Sequence, residues 1–162
     1  MNAPLLLSPA ALAGIDKAIA KYPPDQKQSA VMAALTIAQD ENGWLSTASM
    51  DFVAQYLEMP PIAVYEVASF YAMYDLKPVG KCKLAICTNL PCALQGATIA
   101  AEHLKKKLGV DFGETTADGA FTLTEAECMG ACGDAPVLLV NNKRMVCAMT
   151  PDKLDQLIEE FK

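Results

Sequence analysis

Cysteines 87 and 92 in "CTNLPC" and cysteines 128 and 132 in "CMGAC" form two close pairs with thirty-five residues between them. Thiolate is a soft ligand, suited to zinc, to iron–sulfur centres and to thiol redox chemistry. Neither pair says much alone. Each lies where a strand-like run gives way to an irregular segment, and such strand ends are where α/β folds build their sites. If the two strands are neighbours, four sulfurs converge on one spot. Structural zinc sites commonly use Cys-x2-Cys knuckles, whereas both spacings here are longer and leave room for something larger than a single ion. A [2Fe–2S] rhomb, one pair of cysteines per iron, suits the spacing best; a zinc tetrathiolate, thiol redox chemistry or no shared site are the alternatives.

Thiolates need surroundings that favour negative charge, since a free thiol titrates near about 8.5. Pro91 and Cys92 stand at the start of a helix-like run, which would bring a positive dipole end and unpaired N–H groups to the sulfurs. Gly130 and Gly133 would let the chain turn tightly, so that further N–H groups point at sulfur.

The elements that must position these residues fall into two regions. Residues 1–78 read as a helical bundle. Ser8 caps a first helix with Pro9 in its first turn, and Leu12, Ile15, Ile19 and Tyr22 make its apolar stripe. Asp25 favours the start of a second, with Val31, Ala34, Leu35 and Ala38 inside and Asn42–Gly43 as a left-handed end. Ser46 caps a third, carrying Met50, Val53, Ala54 and Leu57. Pro60–Pro61 opens a fourth, with Ala63, Val67, Phe70 and Tyr74 on one face.

Residues 79–162 change period. "KCKLAIC" alternates as a strand with Cys82, Leu84 and Ile86 on one side, and "ALQGATIAAEHLKKKLG" follows as one helix stopped by Gly109. "FTLTEAEC" reads as a second strand delivering Cys128. "PVLLV" and "RMVCAM" around "NNK" read as a hairpin, and Thr150–Pro151 opens a last helix with Leu154, Leu157, Ile158 and Phe161 inside. The order is β-α-β-β-β-α or close to it, an α/β sandwich of thioredoxin-like size within a chain that is α+β overall.

Composition removes other classes. At 162 residues and 52% hydrophobic, the chain can bury about 70% of its unfolded surface without staples. Its 13 basic and 19 acidic residues give a net charge of −6, which repels nucleic acid and anionic membranes. The opening "MNAPLLLSPAALAGIDK" has no basic stretch before its short apolar run, and Ser8 and Pro9 interrupt it, so neither a signal peptide nor membrane insertion is expected. Six cysteines without signs of secretion point to metal or redox chemistry rather than disulfides. With one histidine no Ser–His–Asp arrangement is available, and no G-x-G-x-x-G follows a strand, so the chain itself is not expected to bind NAD or substrate.

"GKCKLAICTNLPCALQGA" and "GETTADGAFTLTEAECMGACGDAPVLLVNN" resemble the thioredoxin-like [2Fe–2S] subunits of NADH-quinone oxidoreductases, the E-subunit family of the respiratory complex I enzymes. The likeness extends to "YPPDQKQSAVMAAL", "QDENGWLS" and "VYEVASFYAMYDLKPVGK", hence over nearly the whole chain. It implies a thioredoxin-like ferredoxin domain with one [2Fe–2S] cluster held by Cys87, Cys92, Cys128 and Cys132. Asp134 departs from the Asn many relatives carry, a change expected to lower the potential slightly. Ala135–Pro136 occupies the place where such folds often hold a cis proline.

The resemblance also implies an electron-transfer subunit. NADH gives up two electrons as hydride and such a cluster takes one, so a flavin must stand between them. The implied partners are the FMN- and NADH-binding F subunit and the large iron–sulfur G subunit, in a peripheral arm on the cytoplasmic face of the membrane. The family leans toward a side reservoir for the second flavin electron. The small subunit of an NAD-dependent formate dehydrogenase or bidirectional hydrogenase is the nearer alternative, a zinc-stabilised interaction module the more distant one.

Other polar and sulfur residues have plainer expectations. Cys82 and Cys147 lie in apolar strand patterns and are expected to pack, as are Met32, Met50, Met59 and Met73. His103 is expected to face solvent, and Lys105, Lys106 and Lys107 to form a solvated helix end.

Overall fold

A computed structural model of the chain describes residues 7–161, leaving the start of the N-terminal apolar run outside the described residues. The chain divides after Pro78 into two compact units.

In the first unit the local signals act where they stand. The Ser8 hydroxyl accepts from the Ala11 N–H at 3.2 Å and starts α1 (Pro9–Ile19). A single 3₁₀ turn, Lys27–Ala30, leads into α2 (Val31–Asn42), which ends on Gly43 at φ 80°. Ser46 accepts from the Ser49 N–H at 3.1 Å to begin α3 (Thr47–Tyr56), and Pro61 opens α4 (Pro61–Phe70). Ile15, Leu35, Leu45, Val53, Leu57, Val64 and Ala68 fill the core.

Several expectations fail here, each for a tertiary reason. Asp25 does not start α2, because the 3₁₀ turn intervenes. Tyr22 lies beyond the end of α1 and is 42% exposed. Helix α4 buries Val64 and Ala68 rather than a face centred on Phe70, which is 80% exposed; the small i, i+4 pair presents the narrower side to the bundle. Tyr74 is buried from the turn after the helix, its hydroxyl donating to the Met32 carbonyl at 2.9 Å. Of the methionines, Met50 is buried and Met59 packs against the core, but Met32 and Met73 are exposed.

The second unit is a five-stranded sheet in the order β2-β3-β1-β4-β5. Strand β1 (Cys82–Cys87) lies at its centre and is buried along its length. It runs parallel to β3 (Phe121–Ala126), from Cys82 opposite Phe121 to Cys87 opposite Ala126, and antiparallel to β4 (Leu138–Val140). Strand β5 (Arg144–Val146) follows β4 through Asn141 and Asn142, both at positive φ (50° and 56°), which a tight hairpin requires. The edge strand β2 (Glu114–Thr115) has two residues, too few to show a period in the sequence.

The single helix expected after β1 is two: α5 (Leu90–Leu94) and α6 (Ala97–Leu108). Gly96, at φ 94°, breaks the run, a conformation that costs glycine little. Helices α6 and α7 (Pro151–Glu160) cover one face of the sheet, packing Ala100, Leu104, Leu154 and Ile158 on Leu84, Ile86, Leu123 and Leu138. His103 is half-buried rather than solvent-facing: its Nε2 lies 2.8 Å from the Asp155 carboxylate of α7, which Lys107 also reaches at 3.2 Å. No helix among the described residues is long and apolar enough to cross a membrane.

Gly80 shows how tightly the entry to β1 runs past β3. A Cβ there would stand 2.9 Å from the Phe121 carbonyl carbon and 3.0 Å from the Gly119 oxygen, both backbone atoms that cannot swing aside. Gly80→Ala is therefore expected to destabilise the chain by about 1–3 kcal/mol, read as an earlier denaturant midpoint.

Candidate metal centre

The parallel register places Cys87 at the last position of β1, level with Ala126, so Cys128 lies two residues past the end of the neighbouring strand. From the other side, the Cys87 N–H donates to the Val137 carbonyl at 3.1 Å. The chain then turns through Thr88 and Asn89 into α5, whose first turn brings Cys92 back against Cys87. Cys87 and Cys92 are both 2% exposed and pack with Ala97 and Val137, flanked by Met129, Ala131 and Ala135. The Ala135–Pro136 peptide beside them is cis.

Cys128 and Cys132 are exposed, on the loop that leaves β3. Gly130 takes φ 71°, and its N–H donates to the Cys128 sulfur at 3.4 Å, the type of contact expected of it. Gly133 lies in the short 3₁₀ turn Cys132–Asp134 with open space around it and no unusual φ, so that position does not need a glycine. Helix α5 has five residues, too few for a large macrodipole; its contribution is to place Cys92.

Burial is the first cause that raises the Cys92 thiol above its ordinary pKa, and the adjacent Cys87 thiol is the second; the charge of Cys132 acts in the same direction. The Cys92 thiol thus senses both Cys87 and Cys132 at this end of the sheet. Buried sulfurs of this kind resist deprotonation until a cation compensates, and a coordinating thiol then ionises outright. Among the described residues no three His, Cys, Asp or Glu side chains are grouped to hold a metal ion, and the loop thiols stand open while the β1–α5 pair is closed. All six cysteines are free. The donor set, two buried sulfurs at the end of β1 and in α5 and two on the loop leaving the adjacent parallel β3, over an apolar floor, fits a thiolate-held iron–sulfur group.

Two other cysteines separate cleanly. Cys82 packs as expected, and burial pushes its thiol up to about 11. Cys147 is exposed, contrary to the expectation from its apolar neighbours, because β5 ends at Val146 and the chain turns outward through Ala148 at φ 51°. Iodoacetamide at mildly alkaline pH is therefore expected to label Cys147 and leave Cys82 unmodified until the chain unfolds, as peptide mass spectrometry would read.

Sequence reasoning missed two carboxylates at this end. The Thr88 hydroxyl donates to Glu125 at 2.6 Å, and the Asn89 amide donates to Glu127 at 3.3 Å. The alternation of Glu125 and Glu127 with Ala126 at the strand end was the available signal.

A sheet with two helices on one face, and paired thiols at the ends of its parallel strands, defines the class of thioredoxin-like α/β proteins with a sulfur-rich site. The chain belongs to the thioredoxin-like [2Fe-2S] ferredoxin family, whose model matches residues 15–162, and that family carries a [2Fe–2S] cluster. It is 45% identical over 144 residues to the E subunit of the NADH-quinone oxidoreductase of Rickettsia felis, covering 88% of this chain and 86% of that one. It is 41% identical over 150 residues to the mitochondrial NADH dehydrogenase [ubiquinone] flavoprotein 2 of Dictyostelium discoideum, covering 90% of this chain and 61% of that one. Among solved structures, an NAD+-reducing [NiFe]-hydrogenase in the H2-reduced state shares the fold, with a TM-score of 0.71 and 23% identity over 81% of this chain and 22% of the hydrogenase chain.

Proposed function

We propose that this chain is the electron-transfer subunit of an NADH:quinone oxidoreductase, with Cys87, Cys92, Cys128 and Cys132 as the ligands of its [2Fe–2S] cluster. The identity to the Rickettsia E subunit over most of both chains carries the reading. The cluster supplies a one-electron carrier of tunable potential. The chain's own groups do the rest. Cys87 and Cys92 hold two ligand positions in an apolar floor that excludes water, and the Gly130 N–H stabilises charge on the Cys128 sulfur. The partners in this reading are the FMN- and NADH-binding F subunit and the large iron–sulfur G subunit, in a peripheral arm on the cytoplasmic face of the membrane.

Purification of the native assembly tests the proposal. Flavin- and NADH-binding chains should co-purify, with equal iron and acid-labile sulfide on this chain. A molybdenum or nickel–iron catalytic partner would assign it to a formate dehydrogenase or hydrogenase instead, and stoichiometric zinc without sulfide would make it an interaction module.

A further inference from the structure

We propose that the exposed apolar face of α5 docks the cysteine-bearing end of the second unit onto a cationic face of the protein with which it exchanges electrons, a proposal that rests on the electron-carrier reading above.

Leu90 and Leu94 lie one turn apart on α5, 71% and 77% exposed, while Cys92 on the other side of the helix is 2% exposed. Ile99, in the first turn of α6, is 69% exposed. Single exposed leucines are ordinary on a protein surface. Here, among the described residues, three of the four exposed large apolar residues of the unit fall within ten positions of one another, shortly after Cys87. Such grouping marks an interaction surface.

Charge identifies the occupant. The stretches 87–99 and 125–137, which build this end, contain Glu125, Glu127 and Asp134 and no lysine or arginine. Thr88 and Asn89 donate to Glu125 and Glu127, so neutral groups at the threshold of α5 fix both carboxylates without cancelling their charge. The tetrathiolate site adds negative charge of its own. The unit's cations lie outside these two stretches, among them Lys105, Lys106 and Lys107 in the last turn of α6 and Arg144 in β5. A second copy of the chain would bring like charge to this end, whereas a partner face with an apolar depression ringed by lysine or arginine is attracted and aligned by it. Electron exchange requires the partner's redox group to come close to the cysteines, which is the end that α5 borders.

The test uses the full chain with its cluster reconstituted and the purified NADH-binding flavoprotein as probe, with Kd measured across a salt series. Leu94→Ser is expected to weaken binding about tenfold at every salt concentration. Glu125→Gln is expected to weaken binding at low salt and flatten the salt dependence. Both variants should keep the wild-type visible spectrum. Unchanged affinity in Leu94→Ser, binding that tightens with salt, or self-association of the chain as the property Leu94→Ser removes would each overturn the docking proposal. A wild-type chain that acquires no visible spectrum on reconstitution overturns the electron-carrier reading instead.

Discussion

A chain carrying Cys87→Ser is expected to be purified without visible-region absorbance and nearly free of iron, since removing even an outer-shell partner costs about 10–100-fold in metal affinity. Cys87 is 2% exposed, closed in by Cys92, Ala97 and Val137, and its N–H is held by the Val137 carbonyl. A serine hydroxyl there is a harder donor than thiolate, and burial opposes its ionisation. The same substitution at Cys128 is expected to distort the spectrum strongly and lose less iron, since that position is open to solvent and a replacement oxygen ligand can be hydrated. Cys147→Ser serves as the control and should leave the absorbance intact. An unaltered spectrum in Cys87→Ser would remove Cys87 from the site.

Leu84→Ala is expected to cost about 2–5 kcal/mol, a large part of the roughly 5–15 kcal/mol that holds a domain folded. Leu84 is 0% exposed in the central strand, opposite Leu123 on one side and Val140 on the other, and it faces the helices that cover the sheet. For a unit of this size the cost corresponds to a fall in melting temperature on the order of 10 °C or more. Thermal unfolding followed by circular dichroism would measure it. A fall of only a degree or two would mean that β1 is not the strand on which the helices pack.

The features legible in the sequence are those set by local chemistry. Ser8, Ser46 and Thr150 announced their helices because each hydroxyl caps an N–H three residues on, and Gly43 announced an end because it must turn left-handed. Asn141 and Asn142 announced the hairpin for the same kind of reason. The period-two pattern of β1 and β3 was readable because the covered face is strongly apolar. Convergence of the cysteines could be framed only as a condition, since it depends on β1 and β3 being neighbours, a non-local fact.

What was illegible needed tertiary information. Periodicity admits several faces for α4, and packing selected Val64 and Ala68 over Phe70. Gly96 lies within a run of good helix formers, and only its positive φ exposes the break between α5 and α6. His103 looked solvated because its own helix is charged, while the acid that holds it, Asp155, lies on another helix fifty-two residues away. Cys147 looked buried because its neighbours are apolar, but the strand had already ended.

The placement of β1 also bears on biogenesis. Its parallel neighbour is β3, reached only after α5, α6 and β2, and its other neighbour β4 comes later still. While the polypeptide leaves the ribosome, Cys87 therefore has no flanking strand until residues near 126 have emerged, and none on its second side until those near 140. Contacts so distant along the chain form slowly. Iron delivery must then wait until β3 and β4 have both followed β1 out, and the thiols stay open to oxidants during that wait.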